Sequence, residues 1–138
     1  GKATQLPLPD SAFGNATAVA QAIKAALQKD KNVDGIITIG ANDANAAATG
    51  INQAGLTGKV KLGTFDIDPA NLQRIKDGTQ LFCIDQQPYL QGYLAVSLLN
   101  GYVQYGLKLP TAPVLTGPGI VDASNVAATV AGAAAGAR

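Results

Sequence analysis

Apolar and polar positions alternate along this chain with two periods, one typical of strands and one typical of helices. Nearly continuous apolar runs at residues 33–40, 60–65 and 80–85 predict three strands. The first run has so few polar positions that we expect it to be covered on both faces. Residues 3–8 predict a weaker strand, because Pro7 has no N–H for a ladder. Residues 112–116 predict a last strand.

The segments between these strands have helical spacing. Asn15 predicts the N-cap of a helix that runs to residue 30. Further helices are predicted over residues 44–54 and from Pro69 to about residue 78. The longest helix spans residues 89–105, with Pro88 at its start and Gly106 at its end. The Ala/Gly-rich tail predicts a frayed segment or a weak helix.

This alternating order of strands and helices predicts the fold class. It indicates an α/β fold with an open, mostly parallel sheet and helices on both faces. Right-handed crossovers place the carboxyl ends of parallel strands at one edge of the sheet. In open α/β sheets, that edge is where ligands bind.

Composition and charge narrow the possible functions. The 138 residues suit one domain, and a net charge of +1 with scattered basic residues argues against nucleic-acid binding. There is no His, the commonest acid–base residue. Cys83 lies in an apolar run, which predicts a buried and unreactive thiol. The first ten residues lack a signal-peptide pattern, and no apolar run is long enough to cross a bilayer.

Polar side chains gather where the three strands end: Asn42, Asp43, Asp66, Asp68, Asp85, Gln86 and Gln87. Carboxylates accept hydrogen bonds and amides both donate and accept, so the set suits a neutral, hydroxyl-rich ligand. Asp43 and Asp68 each precede a predicted helix, so we expect them to be caps. Asp66 is the expected ligand anchor. For Asn42 and Gln86, spacing alone leaves ligand binding and loop hydrogen bonding equally open.

The same residues do not predict an enzyme. The Asp residues lack the pattern of a calcium loop, and the serines have neither a His partner nor a nucleophile elbow. A phosphate-receiving pocket of the flavodoxin-like kind would need Lys where the late strand ends in Asp85. We therefore expect no catalytic residue, no metal and no cofactor. A flavodoxin-like enzyme or signalling domain is the weakest of the alternatives.

Four motifs in order carry a resemblance: "GAND", "GTFD", "KDG" and "QQP" before the long helix. Over about residues 15–125 the chain resembles the C-terminal half of periplasmic sugar-binding proteins of ABC transporters, ribose/galactose type. These proteins share a fold with the core of LacI repressors. The resemblance implies a flavodoxin-like lobe of a type I periplasmic binding protein, here incomplete.

By this resemblance, Asn42, Asp66 and Gln86 would bind a sugar or polyol between two lobes. A membrane permease would be the protein partner, and the location would be periplasmic. The effector-binding core of a LacI-type transcription regulator is the alternative that the residues leave open.

The resemblance also divides the chain. Residues 1–86 would be part of the C-terminal lobe, residues 87–111 a long helix that normally belongs to the N-terminal lobe, and residues 112–138 a returning strand and tail. The N-terminal lobe and the first strand and helix of the C-terminal lobe have no counterpart in this sequence. We expect an N-terminal lobe, or a second copy of the chain, to complete the cleft.

Overall fold

A computed structural model describes residues 2–138 and contains one four-stranded sheet. A short 3-10 turn at Asp10–Ala12 precedes the first helix. The elements in chain order are α1 (Ala16–Lys29), β1 (Gly35–Thr38), α2 (Ala41–Gln53), β2 (Lys61–Phe65), α3 (Pro69–Lys76), β3 (Phe82–Asp85), α4 (Pro88–Tyr105), β4 (Gly119–Asp122) and α5 (Val126–Ala134).

The sheet has the strand order β1-β2-β3-β4. The pairs β1/β2 and β2/β3 are parallel, and β4 runs antiparallel to β3. The predicted α/β fold with an open, mostly parallel sheet is confirmed. Two strand predictions are wrong: residues 3–8 join no strand of the described chain, and the last strand lies at Gly119–Asp122 instead of at residues 112–116.

The core lies on one face of the sheet, in two clusters. The first joins α1 and α2 to β2 and includes Ile23, Leu27, Ala47, Ile51 and Leu62. The second joins α3 and α5 to β3 and β4 and is made of Leu72, Ile75, Cys83, Val121 and Val126. The tail therefore forms a helix, α5, that packs on the core, and does not fray.

The opposite face of the sheet is open in the described chain. Ile37 and Ile120, which alternate with the core positions, are 71% and 50% exposed. The expected cover on both faces, and in particular on both faces of the first strand, is therefore not met. The physical reason is the direction of the chain: β1, β2 and β3 follow one another across the sheet, so right-handed crossovers place α2 and α3 on the same side.

Helix α4 stands apart from both core clusters. It begins with Pro88 and ends before Gly106, whose φ of +63° provides the left-handed C-cap that its position predicts. No residue of α4 is buried, and the rings of Tyr89 and Tyr93 stack with centroids 6.3 Å apart. Its apolar side meets the returning segment at Leu109, Ala112 and Val114, which line a groove with it. None of the described helices is long and apolar enough to cross a membrane.

Cys83 provides the first testable prediction. Its side chain is fully buried in β3, and burial together with the nearby carboxylates of Asp85 and Asp68 raises the pKa of the thiol from 9.0 to about 11. Because the thiol of Cys83 has a higher pKa in the folded chain, its titration lowers the free energy of unfolding as the pH rises from 9 towards 11. Below pH 9 this part of the stability is fully retained.

We expect Cys83 to react with a thiol reagent at pH 8 only when the chain unfolds. The measurement is labelling with a chromogenic disulfide across a urea titration. The chain has one Cys, so the signal has a single source. Rapid labelling in the absence of urea would contradict the prediction.

Candidate functional site at the carboxyl edge of the sheet

The three predicted ligand residues lie where β1, β2 and β3 end, and we call them the polar rim (Asn42, Asp66 and Gln86). Asp66 follows β2 and Gln86 follows β3 directly. The Gln86 Nε2 atom donates a hydrogen bond of 2.5 Å to Asp66 Oδ1. The backbone N–H of Asp66 donates to the Ile84 carbonyl at 2.9 Å, which extends the β2/β3 ladder by one residue. The structure thus brings two of the three residues into direct contact.

Asp66 has an uncommon backbone conformation. Its φ of +67° is in the left-handed region, which Asp tolerates better than most residues but which still costs conformational energy. Gln87, beside Gln86, has a φ of +55°. Such conformations cluster at binding sites, where the surrounding structure holds them. Both are adjacent to the Asp66–Gln86 hydrogen bond, which strengthens the assignment of a site to this edge.

Asn42 lies on the first turn of α2 and is exposed. The helix begins at Ala41 with Gly40 as N-cap, three residues earlier than predicted. Asp43 is therefore inside the helix, and the prediction that it is a cap is wrong. The helix starts here because the Gly40 carbonyl accepts from the N–H of Ala44 at 3.0 Å. Asn42 thus lies in the segment that follows the carboxyl end of β1, and no hydrogen bond among the described residues joins its side chain to Asp66.

Asp68 is structural, as predicted. Its Oδ1 atom accepts from the N–H of Asn71 at 2.6 Å and so caps α3. Its Oδ2 atom accepts from Asn45 Nδ2 at 2.9 Å. Both carboxylate oxygens are thus used within the helical layer.

Asp85 also belongs to the interior, although the sequence placed it with the polar residues at the strand ends. It is fully buried, and its Oδ1 atom accepts from the N–H of Gln87 at 2.8 Å. Its Oδ2 atom lies 3.6 Å from Nε of Arg138, whose guanidinium also donates to Thr129. Sequence reasoning missed Arg138, since nothing in the tail pattern indicates a partner as distant along the chain as Asp85.

The backbone carbonyl of Gln86 connects the polar rim to α4 and to the returning segment. Its carbonyl accepts from Gln91 Nε2 at 2.7 Å and from Thr116 Oγ1 at 3.1 Å. The start of α4 and the returning segment therefore meet at the residue that also bonds to Asp66. A displacement of either segment would move a rim side chain.

The rim offers a carboxylate acceptor next to amide groups that donate and accept, which matches the alternating needs of ligand hydroxyls. Hydrogen bonds to an ionised acceptor are stronger than neutral ones, so Asp66 is suited to be the anchor. Within residues 2–138, no group of three His, Cys, Asp or Glu side chains could hold a metal ion. The geometry supports recognition of a neutral polyol.

Comparison with known proteins gives a consistent picture. Residues 4–108 match the family described as "Periplasmic binding protein domain". The xylose/arabinose-binding protein XylF of Sulfolobus acidocaldarius is 28% identical over 110 residues, which are 76% of this chain and 27% of that protein.

Two solved structures illustrate the structural similarity. A carbohydrate transporter protein of Acidothermus cellulolyticus, in complex with myo-inositol, is 38% identical with a TM-score of 0.79. The match covers 90% of this chain and 43% of that one. AraP, an arabinose-binding protein of Geobacillus stearothermophilus, is 26% identical with a TM-score of 0.72 over 85% of this chain and 42% of that one. This chain therefore spans less than half of the relatives that it matches.

Proposed function

Because this chain belongs to the periplasmic binding protein domain family, we propose that its protein is the solute-binding component of an ABC transporter for a neutral sugar or polyol. The observation that carries the proposal is the hydrogen bond between Gln86 and Asp66 at the carboxyl edge of the sheet. The relatives support it, since the names of XylF and AraP state pentose binding and the Acidothermus protein holds myo-inositol. We propose a binding protein and not an enzyme.

The ligand occupies a cleft of which this chain forms one wall. Asp66 anchors hydroxyls, Gln86 lies next to it, and Asn42 contributes from α2. The opposite wall is an N-terminal lobe or a second copy of the chain. In this proposal residues 1–86 are part of the C-terminal lobe and residues 87–111 pack on the other lobe. The apolar side of α4, with no buried residue in this chain, supports that assignment.

The protein works in the periplasm and delivers its ligand to a membrane permease. Closure of two lobes around a ligand is the motion by which such proteins signal that they are loaded. Because Gln86 bonds to Asp66 and also receives hydrogen bonds from α4 and the returning segment, ligand binding at the rim is mechanically linked to those segments.

Calorimetry of the intact protein with myo-inositol, D-xylose and arabinose tests the proposal. We expect saturable binding of at least one of these neutral ligands. D-Glucuronate is the matched control, because its carboxylate would meet the negative charge of Asp66 and should not bind. If none of the three neutral ligands binds, or if glucuronate binds as tightly as they do, the result contradicts the proposed function.

A further inference from the structure

Two threonine hydroxyls lie directly beneath the polar rim, where β1 and β2 end. Thr38 and Thr64 are opposite each other in the β1/β2 register. Their Oγ1 atoms are 2.7 Å apart, and Thr64 is 0% exposed. The Thr64 hydroxyl is also 3.1 Å from the Gly40 carbonyl and 2.9 Å from the Phe65 carbonyl. Thr38 precedes Asn42 along the chain and Thr64 precedes Asp66, so the pair lies at the base of the two segments that contain these rim residues.

The proton count shows what the pair can bind. Each hydroxyl has one proton, so the bond between them uses one and leaves the other for a carbonyl. The Gly40 carbonyl is within reach of both hydroxyls, at 3.1 Å from Thr64 and 3.4 Å from Thr38. Whichever hydroxyl donates to the other, the remaining proton can be donated to Gly40.

This contact matters because the regular pairing of β1 with β2 stops at Thr38 and Thr64. Beyond that point Asp66 remains attached to β3 through its backbone N–H. Gly40 instead turns away to begin α2, and no side chain caps that helix. Among the described residues, one hydrogen bond joins Gly40 to β2, and its donor is the Thr64 hydroxyl.

We propose that the Thr38–Thr64 hydroxyl pair sets the position of Asn42 relative to Asp66 and thereby tunes which polyol the site accepts. The inference rests on the proposed function. Thr64 is a positioning residue that acts through Asn42 and does not touch the ligand, since it is fully buried. The expected ligand class is a ring polyol whose hydroxyls must meet Asn42 and Asp66 together.

The test compares three variants of the intact protein. Thr64→Val keeps the side-chain shape and removes the hydroxyl, and we expect it to weaken ligand binding about tenfold. Thr64→Ser restores the hydroxyl and should restore most of the affinity. Thr79→Val is the matched control: its hydroxyl donates to the Arg74 carbonyl at 3.3 Å, before β3 begins and therefore at the opposite edge of the sheet. It should leave the affinity unchanged.

A double-mutant cycle distinguishes positioning from a general structural role. In an Asn42→Ala background, Thr64→Val should have little further effect on the dissociation constant, because the group that it positions is gone. A tenfold loss that persists unchanged in that background would overturn the inference. So would a Thr64→Val protein that binds as tightly as wild type, with the same preference among polyols.

A second measurement needs no ligand. Amide hydrogen exchange in the first turn of α2, around Asn42 and Ala44, should be faster in Thr64→Val than in wild type and unaffected in Thr79→Val. Unaltered exchange in Thr64→Val would overturn the inference. If that variant does not fold, Thr64→Ala removes the same hydroxyl and is held to the same two outcomes. A wild-type protein that binds no polyol would count against the proposed function, whereas exchange would still decide the role of the hydroxyls.

Discussion

Replacement of Asp66 by Asn in the intact protein should weaken polyol binding about a hundredfold. The variant keeps the size of the side chain and one carbonyl oxygen that can still accept from Gln86, but it removes the negative charge. Hydrogen bonds to a charged group are worth about 1.5–3 kcal/mol, against about 0.5–1.5 kcal/mol for neutral ones. Two ligand hydroxyls on the carboxylate would account for the expected loss.

Asn is a better replacement than Ala here because of the backbone. At the φ of +67° that Asp66 adopts, Asn is tolerated, whereas Ala would add strain that has no relation to the ligand. A loss of affinity in Asp66→Ala would therefore mix two causes. Asp66→Asn isolates the charge.

Asp34→Asn is the matched control for Asp66→Asn. Asp34 is exposed and directly precedes β1, at the amino edge of the sheet, so the substitution changes the net charge equally without touching the rim. Calorimetry with the best ligand of the panel provides the dissociation constants. If Asp66→Asn binds within a factor of about two of wild type, Asp66 is not the anchor.

The contact between Asp66 and Gln86 could be predicted from sequence because it depends on local order alone. Each residue directly follows a strand, and neighbouring parallel strands end at the same edge. The caps of α1 and α3 were predicted for a similar reason: Asn15 and Asp68 accept from N–H groups three residues ahead. Such features need no knowledge of distant partners.

Features that depend on distant partners could not be predicted in this way. The start of α2 was placed at residue 44 because Asp43 matches a capping pattern, yet Gly40 caps the helix with its carbonyl held by Thr64 from the next strand. The apolar segment at residues 112–116 resembles a strand, but it lies along α4, and the strand that pairs with β3 begins at Gly119. The start of α2 and the position of the last strand thus both depend on contacts with distant segments, which the local sequence does not show.

The open face of the sheet could not be predicted from the local pattern either. A run such as residues 33–40 shows that both sides of a strand are apolar, but not which chain covers each side. In this chain the helices cover the side of Leu62 and Cys83, and Ile37 stays exposed. The apolar pattern on this side is typical of a strand that a second layer covers, and no described helix or strand of this chain supplies that layer.

Gly50 sets the closest approach of the two helices that make the first core cluster. It lies in α2, where a Cβ atom would come within 2.6 Å of the Ala20 carbonyl of α1 and 3.0 Å of the Ile23 side chain. A backbone carbonyl cannot swing aside as a flexible side chain can. The two helices would have to separate, and the packing around Ile23, Leu27 and Ile51 would loosen with them.

Gly50→Ala should therefore destabilise the chain by about 1–3 kcal/mol, although helix propensity alone predicts a gain of about 1 kcal/mol. The opposite signs make the result decisive, and urea denaturation of the chain gives the free energy of unfolding. Gly92→Ala is the matched control, because a Cβ atom there has no neighbour within 4 Å in the described chain. It should leave the stability unchanged or raise it by up to about 1 kcal/mol. If Gly50→Ala is as stable as Gly92→Ala, the close approach of α1 and α2 at Gly50 does not limit the stability and the prediction is wrong.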